Sequence, residues 1–367
     1  MIVSSAEARS DSSTPRALSP TGHALVAACL GMISALGILN NLLVLVLFGR
    51  YKALRSPINM LLLNISVSDL LVCALATPFS FAASARGRWL IGEQGCVWYG
   101  FANSLLGIVS LISLAVLSYE RYSTMMGPTE ADATNYRKVA MGVLLSWVYS
   151  LFWTLPPFFG WSRYGPEGPG TTCSVDWTAK TANNISYIIC LFIFCLILPF
   201  LAIVYSYGKL LHAIKQVSHD REHRVLLMVI TMVVCYLLCW LPYGIMALMA
   251  TFGDPDLITA EASIVPSLLA KTSTVINPII YIFMNKQVRT LSCNLQLIII
   301  SVINKSSFHR ADHTITQAVR NTPWQRTSGA NTRLSCPLAL PGDFLFIQPH
   351  QGAKRPAEVR PNTALIQ

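Results

Sequence analysis

Lys271 is the single charged residue in the apolar run 262–284. An ammonium in that setting costs at least ~2.5 kcal/mol on insertion scales, so an intramembrane lysine calls for a function or a partner. A lysine paired with a carboxylate is one reading, and a side chain snorkelling to an interface is another. Snorkelling fits poorly, because Lys271 precedes Lys286 at the run's end by 15 residues, roughly 22 Å of helix. Desolvation favours the neutral amine, the form that attacks an aldehyde to give an imine. Trp240, Tyr243, Tyr99, Phe101, Trp161 and Tyr187 offer aromatic walls for an elongated apolar aldehyde, although each alone reads as packing. Other charged residues suggest less. Glu120 and Arg121 read as a juxtamembrane salt bridge, and Glu167 in PEGPGTTC reads as an exposed loop acid. Asp69, inside LNISVSDL, is a carboxylate in an apolar run.

The elements that must position these groups are membrane spans. The chain has 367 residues, 53% hydrophobic and only 12% charged, about half the charged fraction of a soluble domain. A span needs ~20 mostly apolar residues, and seven stretches supply them, at about 24–48, 58–82, 94–118, 139–160, 185–207, 225–252 and 262–284. None alternates as barrel strands would, so the predicted fold is all-α, a seven-transmembrane-helix bundle. Arg50, Lys52, Arg55, Arg137, Lys138, Lys209, Lys215, Arg221 and Arg224 mark one side as cytoplasmic. The opposite side carries Glu93, Glu167, Asp176, Asp254, Asp256 and Glu261, which puts the N-terminus outside and the C-terminus in the cytoplasm. The net charge of +10 therefore needs no nucleic acid partner. Residues 1–23 read as a polar extracellular segment before an uncleaved first span, 24–300 as one helical domain, and 301–367 as a disordered basic tail.

This topology leaves Cys96 and Cys173 as the cysteines on the oxidising face near the membrane, and they should pair. Cys29, Cys73, Cys190, Cys195, Cys235 and Cys239 fall in spans and read as buried free thiols. Cys293, on a short amphipathic cytoplasmic helix expected after the last span, is a candidate for palmitoylation. Of the glycosylation sequons, Asn64 is intramembrane and Asn304 cytoplasmic, which leaves Asn184 as the candidate acceptor. The second extracellular connection, 160–184, is the longest, and its glycines and prolines predict a turn-rich lid. The third cytoplasmic connection, 215–222, is short.

The stretch AKTSTVINPIIYIFMNKQ at 270–287 resembles the seventh helix of the opsins, rhodopsin-like G-protein-coupled receptors in which this lysine holds retinal. Asn277, Pro278 and Tyr281 match NPxxY. Asn41, Asp69, Cys96, the triplet Glu120, Arg121 and Tyr122, Cys173, Pro199 and the CWLP stretch 239–242 agree, so the resemblance covers about 30–290. Within the opsins the text is most similar to the encephalopsin and teleost multiple tissue opsin group, which is non-visual. The resemblance implies 11-cis-retinal bound to Lys271 as a Schiff base in the dark, all-trans after light, with Tyr99, Gly107, Trp240 and Tyr243 around it. Glu120 and Glu222 are implied to hold Arg121 until activation, and Asn285, Lys286 and Gln287 to lie near the G-protein contact. Asn41, Asp69 and Asn277 are implied to form a polar core. Vertebrate visual opsins carry a Glu counterion three residues after the first disulfide cysteine, where this chain has Tyr99. The other family position, six residues before the second cysteine, is Glu167, to which the counterion is assigned.

The implied function is a non-enzymatic photoreceptor of the plasma membrane that activates a heterotrimeric G protein, of inhibitory class by its subgroup. The tail offers sites to a receptor kinase and arrestin. A retinal photoisomerase would use the same lysine and light chemistry, yet it would not need the ERY and NPxxY motifs. A receptor for a diffusible ligand would share every motif except a reactive Lys271. A transporter or channel should show repeated halves or several intramembrane charges, and the sequence has neither.

Overall fold

The computed structural model describes residues 18–54, 56–126, 132–214, 220–254, 258–285 and 288–292. Seven of its helices are long and apolar enough to cross a membrane. They are α1 Pro20–Arg50, α2 Pro57–Arg86, α3 Gly92–Met126, α4 Asp132–Thr154, α5 with its apolar part Ala182–Leu210, α6 Asp220–Phe252 and α7 Ala260–Met284. Four begin on a hydroxyl cap, where Ser19, Ser56, Thr181 and Thr259 each accept a backbone N–H from three residues on. Six of the seven predicted spans fall inside these helices; the fourth, 139–160, runs past the end of α4 at Thr154 into a separate short turn, Pro156–Phe159. The first helix starts at Pro20, so the expected boundary at residue 24 moves outward.

Proline accounts for the irregular turns. Pro78 and Pro199 lack an N–H and would press on the carbonyl four residues back. A widened π turn precedes each of them, Val72–Ala76 in α2 and Ile193–Ile197 in α5. Pro242 lies inside α6, and Pro266 and Pro278 inside α7. Around the bundle, α3 packs against α2, α4 and α5, while α7 packs against α6 and α1. Leu25, Phe152, Leu238 and Phe159 face outward and exposed. Side chains of this size across a whole outer surface suit hydrocarbon and not water. Inward positions carry the polar residues, among them Asn41, Asn64, Ser68, Asp69 and Asn277.

The connection between α4 and α5 is more ordered than a turn-rich lid. Its core is an antiparallel hairpin of β1 Tyr164–Glu167 and β2 Thr172–Val175, with Tyr164 opposite Val175 and Glu167 opposite Thr172. Gly168 and Gly170 adopt positive φ in the turn, the conformation for which glycine is suited. Turn residues hid the strands because each is only four residues long, too short to display an alternating pattern. Cys173 of β2 is bonded to Cys96 near the start of α3, with 5.5 Å between their Cα atoms. The expected free thiols at Cys29, Cys73, Cys190, Cys195, Cys235 and Cys239 are all unpaired cysteines.

Asn184 does not fit the acceptor role expected of it. It is buried, its Nδ2 donates to the carbonyls of Asp176 and Ala179, and its Oδ1 accepts from Ser162. Both amide hydrogens are thus engaged, and a glycan would have no space. The helix expected after the last span is seen at 288–292, where Asn285 Oδ1 accepts from Val288 N. Lys286, Gln287, Cys293, the tail 301–367 and the side chain of Glu222 lie outside what is described.

Candidate functional site

A cavity lies beneath the hairpin, walled by α3, α5, α6 and α7. Helical spacing builds its walls. On α3, Tyr99, Asn103 and Gly107 recur every four residues and share one face; on α6, Tyr236, Trp240 and Tyr243, spaced by four and then three, also share one. Lys271 enters from α7, and Glu167, Ser174 and Trp177 cover the top. Leu191 and Phe192 of α5 close the far side.

Lys271 Nζ donates to Asn103 Oδ1 at 3.0 Å and lies 5.3 Å from the centre of the Tyr99 ring. Tyr99 itself is buried and takes a hydrogen bond from Thr172 of β2 at 3.3 Å. Glu167 Oε1 accepts from Tyr243 Oη at 2.9 Å, and Trp177 Nε1 in turn donates to the same phenol at 3.1 Å. Burial pushes the Glu167 carboxyl above its ordinary range, against the hydrogen bonds of Tyr243 and Ser174 and the charge of Lys271. Lys271 and Glu167 also share a smaller cavity between α1, α2, α7 and the hairpin, lined by Ser80, Ser84, Ser263 and Ser267. The exposed-acid alternative for Glu167 is thereby set aside, because the side chain is partly buried and turned toward the bundle.

Trp240 forms the floor. It stacks on Tyr236, with ring centres 5.7 Å apart, meets Tyr243 edge-on at 6.1 Å and donates to Ser273 Oγ at 3.2 Å. A Cβ at Gly107 would lie 2.9 Å from the Trp240 ring, so only a residue without a side chain admits the indole here. Of the six aromatic walls expected, Tyr99, Trp240 and Tyr243 line the cavity. Phe101, Trp161 and Tyr187 do not; they belong to a neighbouring cluster, Phe101 against Phe158 and Tyr164, and Trp161 against Tyr187. Asn103, Tyr236 and Trp177 were missed. The first two could have been found, since each sits one helical turn from a residue already chosen.

At the lower end of the cavity, Asp69 accepts from Ser110 Oγ at 2.9 Å and from Asn277 Nδ2 at 3.0 Å. Asn41 Nδ2 donates to the carbonyls of Gly37 and Thr274, so it reaches α7 through backbone and not through Asp69. Tyr281 is buried, its hydroxyl 2.6 Å from Ser66 Oγ. Pro278 breaks the hydrogen-bond ladder of α7 between these two contacts. At the end of α3, Glu120 is buried, Arg121 is half-buried, and the Tyr122 ring meets Tyr205 of α5 at 6.4 Å.

The residues around the cavity fit the kind of cofactor the sequence implied. Its walls are mostly apolar and aromatic, a primary amine points into it, and a carboxylate stands at the same end. Such a space suits an elongated apolar aldehyde.

Comparison with known proteins agrees with this architecture. The model of the 7 transmembrane receptor (rhodopsin family) matches residues 40–281. Vertebrate ancient opsin of Salmo salar is 38% identical over 280 residues, covering 74% of this chain and 87% of the relative. Opsin-3 of Mus musculus is 37% identical over 284 residues, covering 74% of this chain and 70% of the relative. These values do not single out one group of opsins. The crystal structure of squid rhodopsin superposes with a TM-score of 0.72 at 25% identity, over 78% of this chain and 88% of that one. The extent of the family match and the identity to such relatives make this chain an opsin, a member of the rhodopsin family of seven-transmembrane receptors.

Proposed function

We propose that the chain is a non-visual photoreceptor that carries retinal on Lys271 and signals to a heterotrimeric G protein. The observation that carries this reading is the aim of Lys271: its Nζ projects into an aromatic cavity roofed by the hairpin, in the company of a partly buried carboxylate. Retinal supplies light absorption and a change of shape, 11-cis in the dark and all-trans after illumination. Lys271 would hold it covalently, and Glu167 would balance the positive charge on the nitrogen, because an unpaired cation in a low dielectric would lose its proton. Tyr99, Gly107, Trp240 and Tyr243 shape the space.

The chain's response follows from where these residues sit. Trp240 is two residues before Pro242, the break in α6, so pressure on the indole is delivered at a point where the helix bends most easily. Movement of the lower part of α6 frees Arg121 from its carboxylates, Glu120 and Glu222, and opens a cytoplasmic cleft to the G protein. Tyr281 and Asn277 hold α7 to α2 until then. An outward N-terminus, a cytoplasmic C-terminus and the plasma membrane complete the reading. So do an inhibitory G-protein class, a tail read by a receptor kinase and arrestin, and a place in the encephalopsin and multiple tissue opsin group.

Absorption spectra of the protein expressed with 11-cis-retinal, in the dark and after light, test the proposal. A visible band that shifts on illumination and is abolished in Lys271→Ala is expected. A folded wild-type protein without a band overturns the retinal reading. A light-sensitive pigment that releases all-trans product and activates no G protein would point to a photoisomerase.

A further inference from the structure

Asn103 lies on α3 one turn below Tyr99, and its amide has neighbours on both sides. Nδ2 donates to the carbonyl of Tyr99 at 2.9 Å, and Oδ1 accepts from Lys271 Nζ at 3.0 Å. The orientation of this amide follows from its partners. A backbone carbonyl only accepts, so the NH2 group must face Tyr99, which leaves the oxygen for Lys271. The Tyr99 ring, 5.3 Å from the same nitrogen, adds its π face. From α3 the lysine thus meets two uncharged groups, whereas the carboxylate of Glu167 comes from the hairpin and is tied to α6 through Tyr243.

We propose that Asn103 is a positioning residue for the Lys271 nitrogen, a neutral acceptor that turns it toward α3 and leaves the balancing charge to Glu167. This deepens the reading of Lys271 as the attachment point. A neutral oxygen can hold the nitrogen as amine, ammonium or protonated imine, since each keeps an N–H to donate. It favours the charged forms far less than a carboxylate at the same distance would. Charge control therefore rests on the hairpin side, and geometry on the α3 side. The titratable groups facing the nitrogen are Tyr99 from α3, Glu167 from the hairpin, Tyr243 from α6, and Asp69 and Cys73 from α2.

The test uses the full chain without retinal. Lys271 is labelled by reductive methylation with formaldehyde and cyanoborohydride across a pH series, and its extent is read by peptide mass spectrometry for wild type, Asn103→Asp and Asn103→Leu. An adjacent carboxylate should protect the ammonium, so Asn103→Asp is expected to react about tenfold more slowly below the midpoint, a shift of about one pH unit upward. Asn103→Leu should shift it downward. Asp is nearly the same size as Asn, so Asn103→Asp decides the matter even if Asn103→Leu fails to fold. Coincident profiles for wild type and Asn103→Asp would overturn the proposal. With 11-cis-retinal added, the visible band of Asn103→Asp should persist to higher pH. A labelling profile shifted by Asn103→Asp, together with a wild-type protein that forms no pigment, would sink the retinal reading and leave the role of Asn103 standing.

Discussion

Glu167 is partly buried, and desolvation raises its carboxyl above 4.5. A carboxyl raised by folding contributes stability below its unfolded value, and that contribution disappears as pH rises through the folded value. Retinal-free wild type should therefore lose stability from about pH 4.5 upward, and Glu167→Gln should flatten that dependence in thermal melts. Once pigment is formed the sign reverses, because the ionised carboxylate favours a positively charged nitrogen. In the pigment, Glu167→Gln should let the nitrogen deprotonate at lower pH and move absorption near neutral pH to the blue. An unaltered spectral titration would remove Glu167 from the counterion role. Asp176 behaves in the opposite way to free Glu167. Burial opposes its ionisation, but the hydrogen bonds of Arg163 and Thr178 outweigh that and hold the carboxyl below its ordinary range. Arg163 is mostly exposed, so this 2.7 Å ion pair shapes the connection more than it stabilises the fold.

The connection between α4 and α5 is fastened to α6 at three levels. Trp177 meets Tyr243, Thr251 Oγ1 donates to the Trp177 carbonyl, and Lys180 Nζ donates to the carbonyls of Ala250, Thr251 and Gly253 at 3.1, 2.6 and 2.9 Å. The last carbonyls of a helix have no N–H of their own helix to accept from, and a cation there also meets the negative end of the helix dipole. Lys180→Met should lower stability by about 1 kcal/mol, measured by thermal unfolding, with Lys180→Arg recovering part of the loss. Identical melts for Lys180→Met and wild type would reduce the contact to a surface ornament of the structure. The same fastening carries a mechanical consequence. The upper end of α6 is anchored to the hairpin, so bending at Pro242 is expressed below it, on the side that carries Arg121.

The disulfide closes a loop of 77 residues between α3 and β2. It holds the hairpin over the cavity, with Thr172 on Tyr99 one residue away and Ser174 in the cavity wall on the other side. Removing both sulfurs with Cys96→Ala and Cys173→Ala together should cost about 2–5 kcal/mol, read as a lower melting temperature. Retinal uptake should fall with it, because the hairpin supplies Glu167. A double variant that keeps full stability and forms normal pigment would show that helix packing alone holds the roof. The seven spans depend less on this link, since their stability comes from backbone hydrogen bonds within each helix and from packing between helices.

The seven spans, the depth of Lys271 and the pairing of Cys96 with Cys173 were legible in the chain, because each depends on length, hydropathy or position along one dimension. A helix of known rise tells how deep a residue lies, and regular spacing tells which residues share its face, as with Tyr99, Asn103 and Gly107. Which face meets which neighbour is not written locally. Lys271 meets Asn103 across 168 residues of sequence, Tyr243 meets Glu167 across 76, and Ser66 meets Tyr281 across 215. Those contacts depend on how each helix is rotated in the bundle and on a hairpin that folds inward under the disulfide. Tertiary packing likewise buried Asn184, moved Phe101, Trp161 and Tyr187 out of the cavity wall, and turned Glu167 from a loop acid into a group beside the lysine.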